Sequence, residues 1–95
     1  MRLENFSGWR LKRDLGVDKA NKIYHNRHVD GSGNFGYLMV KANVWFRIDA
    51  EYTPTHQITW ISISTPDLRK AEFIKGDEYS RFVERARRFI RQLME

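Results

Sequence analysis

The chain has no cysteine among its 95 residues, which excludes a disulfide framework, a thiolate zinc site and a cysteine nucleophile. That fits a reducing compartment, and the expected location is the cytoplasm. Long apolar runs are missing too: no stretch approaches the roughly 18 residues that a membrane-spanning helix requires. The opening Met1-Arg2-Leu3-Glu4-Asn5-Phe6 lacks the apolar core of a secretory signal, so export is not expected. Proline is scarce, with two in the chain, and both sit where turn residues cluster.

Nor does any familiar catalytic or metal-binding pattern stand out. His25 and His28 are three apart and could share a metal if Tyr24 to His28 were helical; a polar helix end running into a turn is the plainer account. Asp30-Gly31-Ser32-Gly33-Asn34 begins like a calcium loop, but Phe35 stands where the sixth-position glycine belongs and Lys41 where the twelfth-position acid belongs. The glycines at 31, 33 and 36 precede a strand pattern, which excludes a dinucleotide or phosphate loop leading into a helix. Ser62 and Ser64 have no general base close by other than His56. No cofactor and no metal are expected.

What the chain does have is 41% hydrophobic and 14% aromatic residues, enough for one core. A chain of this length buries only about 60% of its unfolded surface and cannot support two cores, so residues 1–95 are expected to form a single domain. The formal net charge is +5. Residues 1–36 hold seven Lys/Arg against four Asp/Glu and account for most of the excess. Such a balance favours a polyanion or an acidic protein surface as partner.

Ser7 is a helix cap ahead of Trp9 to Leu15, and Gly16 a stop. A second short helix is expected from Asp18, with Ala20, Ile23 and Tyr24 on one face. Asp30 to Gly36 is a turn that closes a hairpin between His28-Val29 and a strand starting at Tyr37. From Leu38 to Ala50 apolar residues alternate without a break, which predicts one long strand of about 40 Å, bent or bulged. Leu38, Val40, Val44, Phe46 and Ile48 would share its inner face; Met39, Lys41, Trp45 and Arg47 would lie outside. Tyr52 to Gln57 is a turn, and Ile58 to Ser64 a strand that returns antiparallel. Lys70 to Lys75 reads as a brief edge strand. From Asp77 the period changes, and Tyr79, Phe82, Val83, Ala86, Phe89, Ile90 and Leu93 mark an amphipathic helix of about five turns. The expected fold is α+β: a three- to four-stranded antiparallel sheet with a long C-terminal helix on one face and a short helical N-terminal segment.

Two groups of residues are candidates for binding. Lys41, Trp45 and Arg47 on the outer sheet face, with Trp60 opposite or diagonal to Trp45 on the next strand, offer bases a stacking platform beside cations for phosphates. Alternatively both indoles pack beneath the N-terminal segment as part of a two-sided core. On the helix, Arg81, Arg85 and Arg88 form a row with Arg87 and Arg91 beside it, and the guanidinium fork suits phosphate or carboxylate. Interspersed acids make a solvated face the plainer account.

The expected function is therefore a small non-enzymatic nucleic-acid-binding protein of a size that fits a phage or mobile element. It would bind a single strand, or read the backbone alone. The alternative is a protein-interaction module, an inhibitor or regulator of a larger host protein, homodimeric through the sheet edge or the helix. The order of helix, antiparallel strands and C-terminal helix is also loosely similar to RelE-type ribosome-dependent ribonuclease toxins. That resemblance implies RNA cleavage by scattered side chains such as Arg47, His56, Arg69 and Tyr79. The stretch from Tyr37 to Leu93 is similar in plan to the single-strand-binding transcriptional coactivators, in which four strands precede a dimer-forming helix.

Overall fold

The computed structural model describes residues 7–65 and 77–94. The Oγ of Ser7 accepts a hydrogen bond from the Arg10 amide at 3.2 Å and starts α1, Gly8–Leu15, which Gly16 ends in the left-handed conformation at φ 68. Glycine meets that conformation without a Cβ penalty. Four strands follow: β1 Lys19–Arg27, β2 Gly33–Lys41, β3 Val44–Tyr52 and β4 Ile58–Ser64. They form an antiparallel meander in the order β1-β2-β3-β4, and α2, Asp77–Met94, comes after them. The α+β architecture expected from the sequence is what the chain adopts. The proposed edge strand at 70–75 lies outside the described residues.

Two expectations are corrected. The segment after Asp18 is a strand, not a helix. Its residues are rich in types that helices tolerate poorly, such as Asn, His and Tyr, and β2 supplies a ladder for its backbone. The register shifts between Lys22 and Tyr24, leaving Ile23 as a bulge. That extra residue breaks the alternation and hides the period of two. Asp18 caps no helix; its Oδ2 accepts from the Ala42 amide at 3.0 Å, and its own amide donates to the Val40 carbonyl at 2.7 Å.

The second correction concerns residues 38 to 50, which are two strands and not one. Ala42 and Asn43 turn the chain at φ 53 and 64, the paired positive values of a type I′ hairpin. A two-residue turn sets Lys41 directly across from Val44 and Val40 across from Trp45. In one continuous strand those partners would lie on opposite faces; in the hairpin they share a face. Leu38 and Val40 therefore join Trp45 and Arg47, while Met39 and Lys41 go to the other side with Val44 and Phe46.

That other side is the core. Phe35, Tyr37, Met39, Val44, Phe46, Ile48, Ala50 and Tyr52 of the sheet are buried against Leu11, Leu15 and Val17 and against Phe82, Ala86, Ile90, Leu93 and Met94 of α2. Phe46 is central, with its ring centroid 4.6 Å from that of Phe82 and 5.8 Å from that of Tyr79. Each such side chain contributes about 1.5–3 kcal/mol by leaving water. The helices join directly, as Arg85 Nη2 donates to the Asp14 carbonyl at 2.6 Å. Among the described residues both helices occupy one face of the sheet, and neither covers the other face.

Candidate nucleic-acid interface

The face away from the helices carries, by register, Lys19, Asn21, Tyr24 and Asn26 of β1, Asn34, Gly36, Leu38 and Val40 of β2, Trp45, Arg47, Asp49 and Glu51 of β3, and Trp60, Ser62 and Ser64 of β4. Its charged side chains are two cations and two anions. Leu38, Val40 and Trp45 are half-buried there.

Arg47 and Asp49 lie on the same face two residues apart, and Arg47 donates from Nε at 2.8 Å and from Nη2 at 3.1 Å to the carboxylate. Tyr24 Oη donates to the same carboxylate at 2.6 Å, and the Arg47 guanidinium lies 5.9 Å from the Tyr24 ring centre. Tyr24 can lie down here because Gly36 is beneath it: a Cβ at position 36 would come within 2.4 Å of the ring. Partial burial works to raise the Asp49 pKa, but hydrogen bonds from Arg47 and Tyr24 and the Arg47 charge outweigh it and hold the carboxyl below its usual value. Burial, then the bond to Asp49, raise the Tyr24 hydroxyl. Arg47 is thus engaged by an acid and is not an open phosphate contact.

The remaining expected contacts divide. Lys41 is on the helix side, its Nζ 5.2 Å from the Phe82 ring centre, because the Ala42-Asn43 turn reverses its face. Trp45 and Trp60 share the open face but are not neighbours. Trp45 lies across from Val40 and Trp60 across from Glu51, which separates them by about 20 Å along the strands at the usual rise per residue. Trp60 is 49% exposed. The platform of two adjacent indoles with Lys41 and Arg47 does not form.

On α2, Arg81, Arg85 and Arg88 are exposed, but Arg85 is joined to α1. A different set converges. Arg87 and Arg91 line a depression of about 250 Å³ together with Ile58, Thr59, Trp60 and Ile61 of β4. A second depression of about 360 Å³ continues along the helix between Glu84, Arg87, Arg88, Arg91 and Gln92. Residues 85–94 carry four arginines and no acid. The stepwise spacing of Arg87, Arg88 and Arg91 at i, i+1 and i+4 was visible in the sequence; that β4 brings Trp60 to them was not, since it depends on where α2 crosses the sheet.

A further cluster sits at the far end of the sheet. His25 Nε2 and the Tyr52 hydroxyl are 3.0 Å apart, and the His56 ring meets Tyr52 edge-on at 5.6 Å. Burial and the charges of Arg27 and Lys22 lower the His25 pKa. The set suggested for RNA cleavage is not gathered: Arg69 is outside the described residues, Arg47 is on the open face, and Tyr79 stacks on Phe46 while His56 is beside Tyr52, six residues further along β3. Asp30 organises its own turn, its Oδ1 accepting from the Ser32 amide at 2.9 Å and hydroxyl at 2.6 Å. Among the described residues no three metal-binding side chains group together, and no helix is long and apolar enough to cross a membrane. Comparison with protein-family models, with curated proteins and with solved structures finds no match.

Proposed function

We propose that the protein binds nucleic acid through the junction of α2 and β4, with Arg87, Arg88 and Arg91 on phosphates and Trp60 stacked on a base. The carrying observation is a depression lined by Arg87 and Arg91 and by the edge strand β4, whose half-exposed Trp60 stands by register on the far side of that edge, beside a helical segment that has four arginines and no acid. Guanidinium groups bind phosphate oxygens in pairs of hydrogen bonds, and an indole stacks on any base, worth about 1–3 kcal/mol. The binding is sequence-tolerant, with affinity dominated by counterion release.

The open face contributes Trp60 at its β4 edge but no phosphate contact, since its charges cancel and Arg47 is held by Asp49. Fluorescence anisotropy of a labelled single-stranded oligonucleotide tests the proposal. Micromolar affinity at about 50 mM salt, weakened at least tenfold by Trp60→Ala combined with Arg91→Gln, is the expected result. Absence of binding at that salt refutes it. A second function, as a protein-interaction module, is favoured by a separate observation: Leu38, Val40 and Trp45 lie half-exposed on a sheet face that neither helix covers.

A further inference from the structure

We infer that the open sheet face is where a second copy of this chain docks, forming a two-fold dimer whose cationic α2 helices face outward. Three observations lead there, none of them dependent on nucleic-acid binding. Leu38, Val40 and Trp45 are contiguous, since Val40 pairs with Trp45 and Leu38 with Arg47, and together they make an apolar row in the middle of the sheet. One group of polar side chains beside that row is already bonded within one chain: Tyr24 and Arg47 both donate to Asp49. Covering groups that are bonded to one another costs less than covering unpaired ones.

Charge decides the occupant. A molecule of net charge +5 repels its own copies, most strongly at the arginines of α2. By register the open face balances Lys19 and Arg47 against Asp49 and Glu51, so a second copy approaches it without that penalty. An axis along the strands, between β2 and β3, lays Val40 over the partner's Trp45, Leu38 over the partner's Arg47, and Asn34 over the partner's Glu51. No charged residue meets a like charge in that arrangement, and the contact is self-complementary, as a two-fold interface must be. Sheets stack in this way about 10 Å apart with strands roughly aligned. The face measures about 20 Å by about 25 Å from strand spacing and rise, which is at the small end for specific interfaces.

Sedimentation equilibrium on nuclease-treated protein tests this. At about 100 μM the expected mass is twice the 11.4 kDa of one chain, dissociating on dilution below the micromolar range. Val40→Glu places a carboxylate beside the apolar row in both copies and is expected to weaken the dimer by more than about 30-fold. Circular dichroism confirms that it folds; if it does not, Leu38→Lys serves instead. Arg88→Glu on α2 should leave the dimer intact or tighten it. A monomer at about 100 μM, or a dimer that survives the folded face variant, overturns the inference. Oligonucleotide affinity of one copy is expected to be unchanged by Val40→Glu, so loss of dimer and loss of binding are separately observable.

Discussion

Arg47 and Arg91 are both exposed arginines of the candidate surfaces, yet they should behave oppositely when neutralised. Arg47 already gives two hydrogen bonds, at 2.8 Å and 3.1 Å, to Asp49; contacting a phosphate would require breaking them and leaving a carboxylate near the ligand. Arg91 lines both depressions on α2 and lies in the part of the helix without acids. If Arg87, Arg88 and Arg91 each neutralise one phosphate, the logarithm of affinity should fall with the logarithm of salt with a slope of about −2 on a single strand. Raising salt from about 50 to about 200 mM then costs about 20-fold in affinity, and about 7-fold for Arg91→Gln, whose slope is shallower by about 0.7. Arg47→Gln should leave the slope near about −2 and the affinity within about twofold. Anisotropy titrations at four salt concentrations measure all three slopes. If Arg47→Gln flattens the slope while Arg91→Gln does not, the phosphate contacts lie on the sheet and the assignment to α2 is wrong.

Other expectations concern the scaffold. Ala42 pays the left-handed penalty at φ 53, so Ala42→Gly should stabilise the fold by about 0.5–1 kcal/mol and raise Tm by about 4 °C, read by thermal unfolding; an unchanged or lower Tm would contradict the hairpin geometry. Gly36→Ala should cost about 1–3 kcal/mol, because the added methyl collides with the Tyr24 ring, which must lift off Asp49. His25 carries a pKa below its usual 6.5 in the folded chain, so the unfolded state takes up its proton first as pH falls. Its contribution is therefore complete above 6.5 and lost below it. The downward slope of stability against falling pH in that window should flatten in His25→Gln, as measured by urea unfolding at several pH values.

The parts legible in the sequence were those with local punctuation. Ser7 and Gly16 bracket α1, the glycines and Asp30 mark one turn, Pro54 lies in another, and the three- and four-residue spacing from Tyr79 to Leu93 defines α2. Misleading stretches had a local pattern that a distant residue overrides. Ala20, Ile23 and Tyr24 have helical spacing, but pairing with β2 makes a strand with a bulge at Ile23. The alternation from Leu38 to Ala50 runs unbroken through Ala42 and Asn43, where the turn lacks glycine and is held from outside by Asp18. That single turn moved Lys41 away from Trp45 and put Leu38 and Val40 beside it. The junction of Trp60 with Arg87 and Arg91 joins residues about 30 apart in the chain, a separation at which periodicity carries no information.

The bond from Arg85 to the Asp14 carbonyl closes a span of 71 residues. For a freely moving chain the entropic cost of such a closure grows to about 4 kcal/mol, against little for a two-residue turn. The hairpins of the meander bring neighbours together and need no such closure. The expected order of assembly has the strands zip first and shorten the effective tether, and the helices α1 and α2 meet across it afterwards.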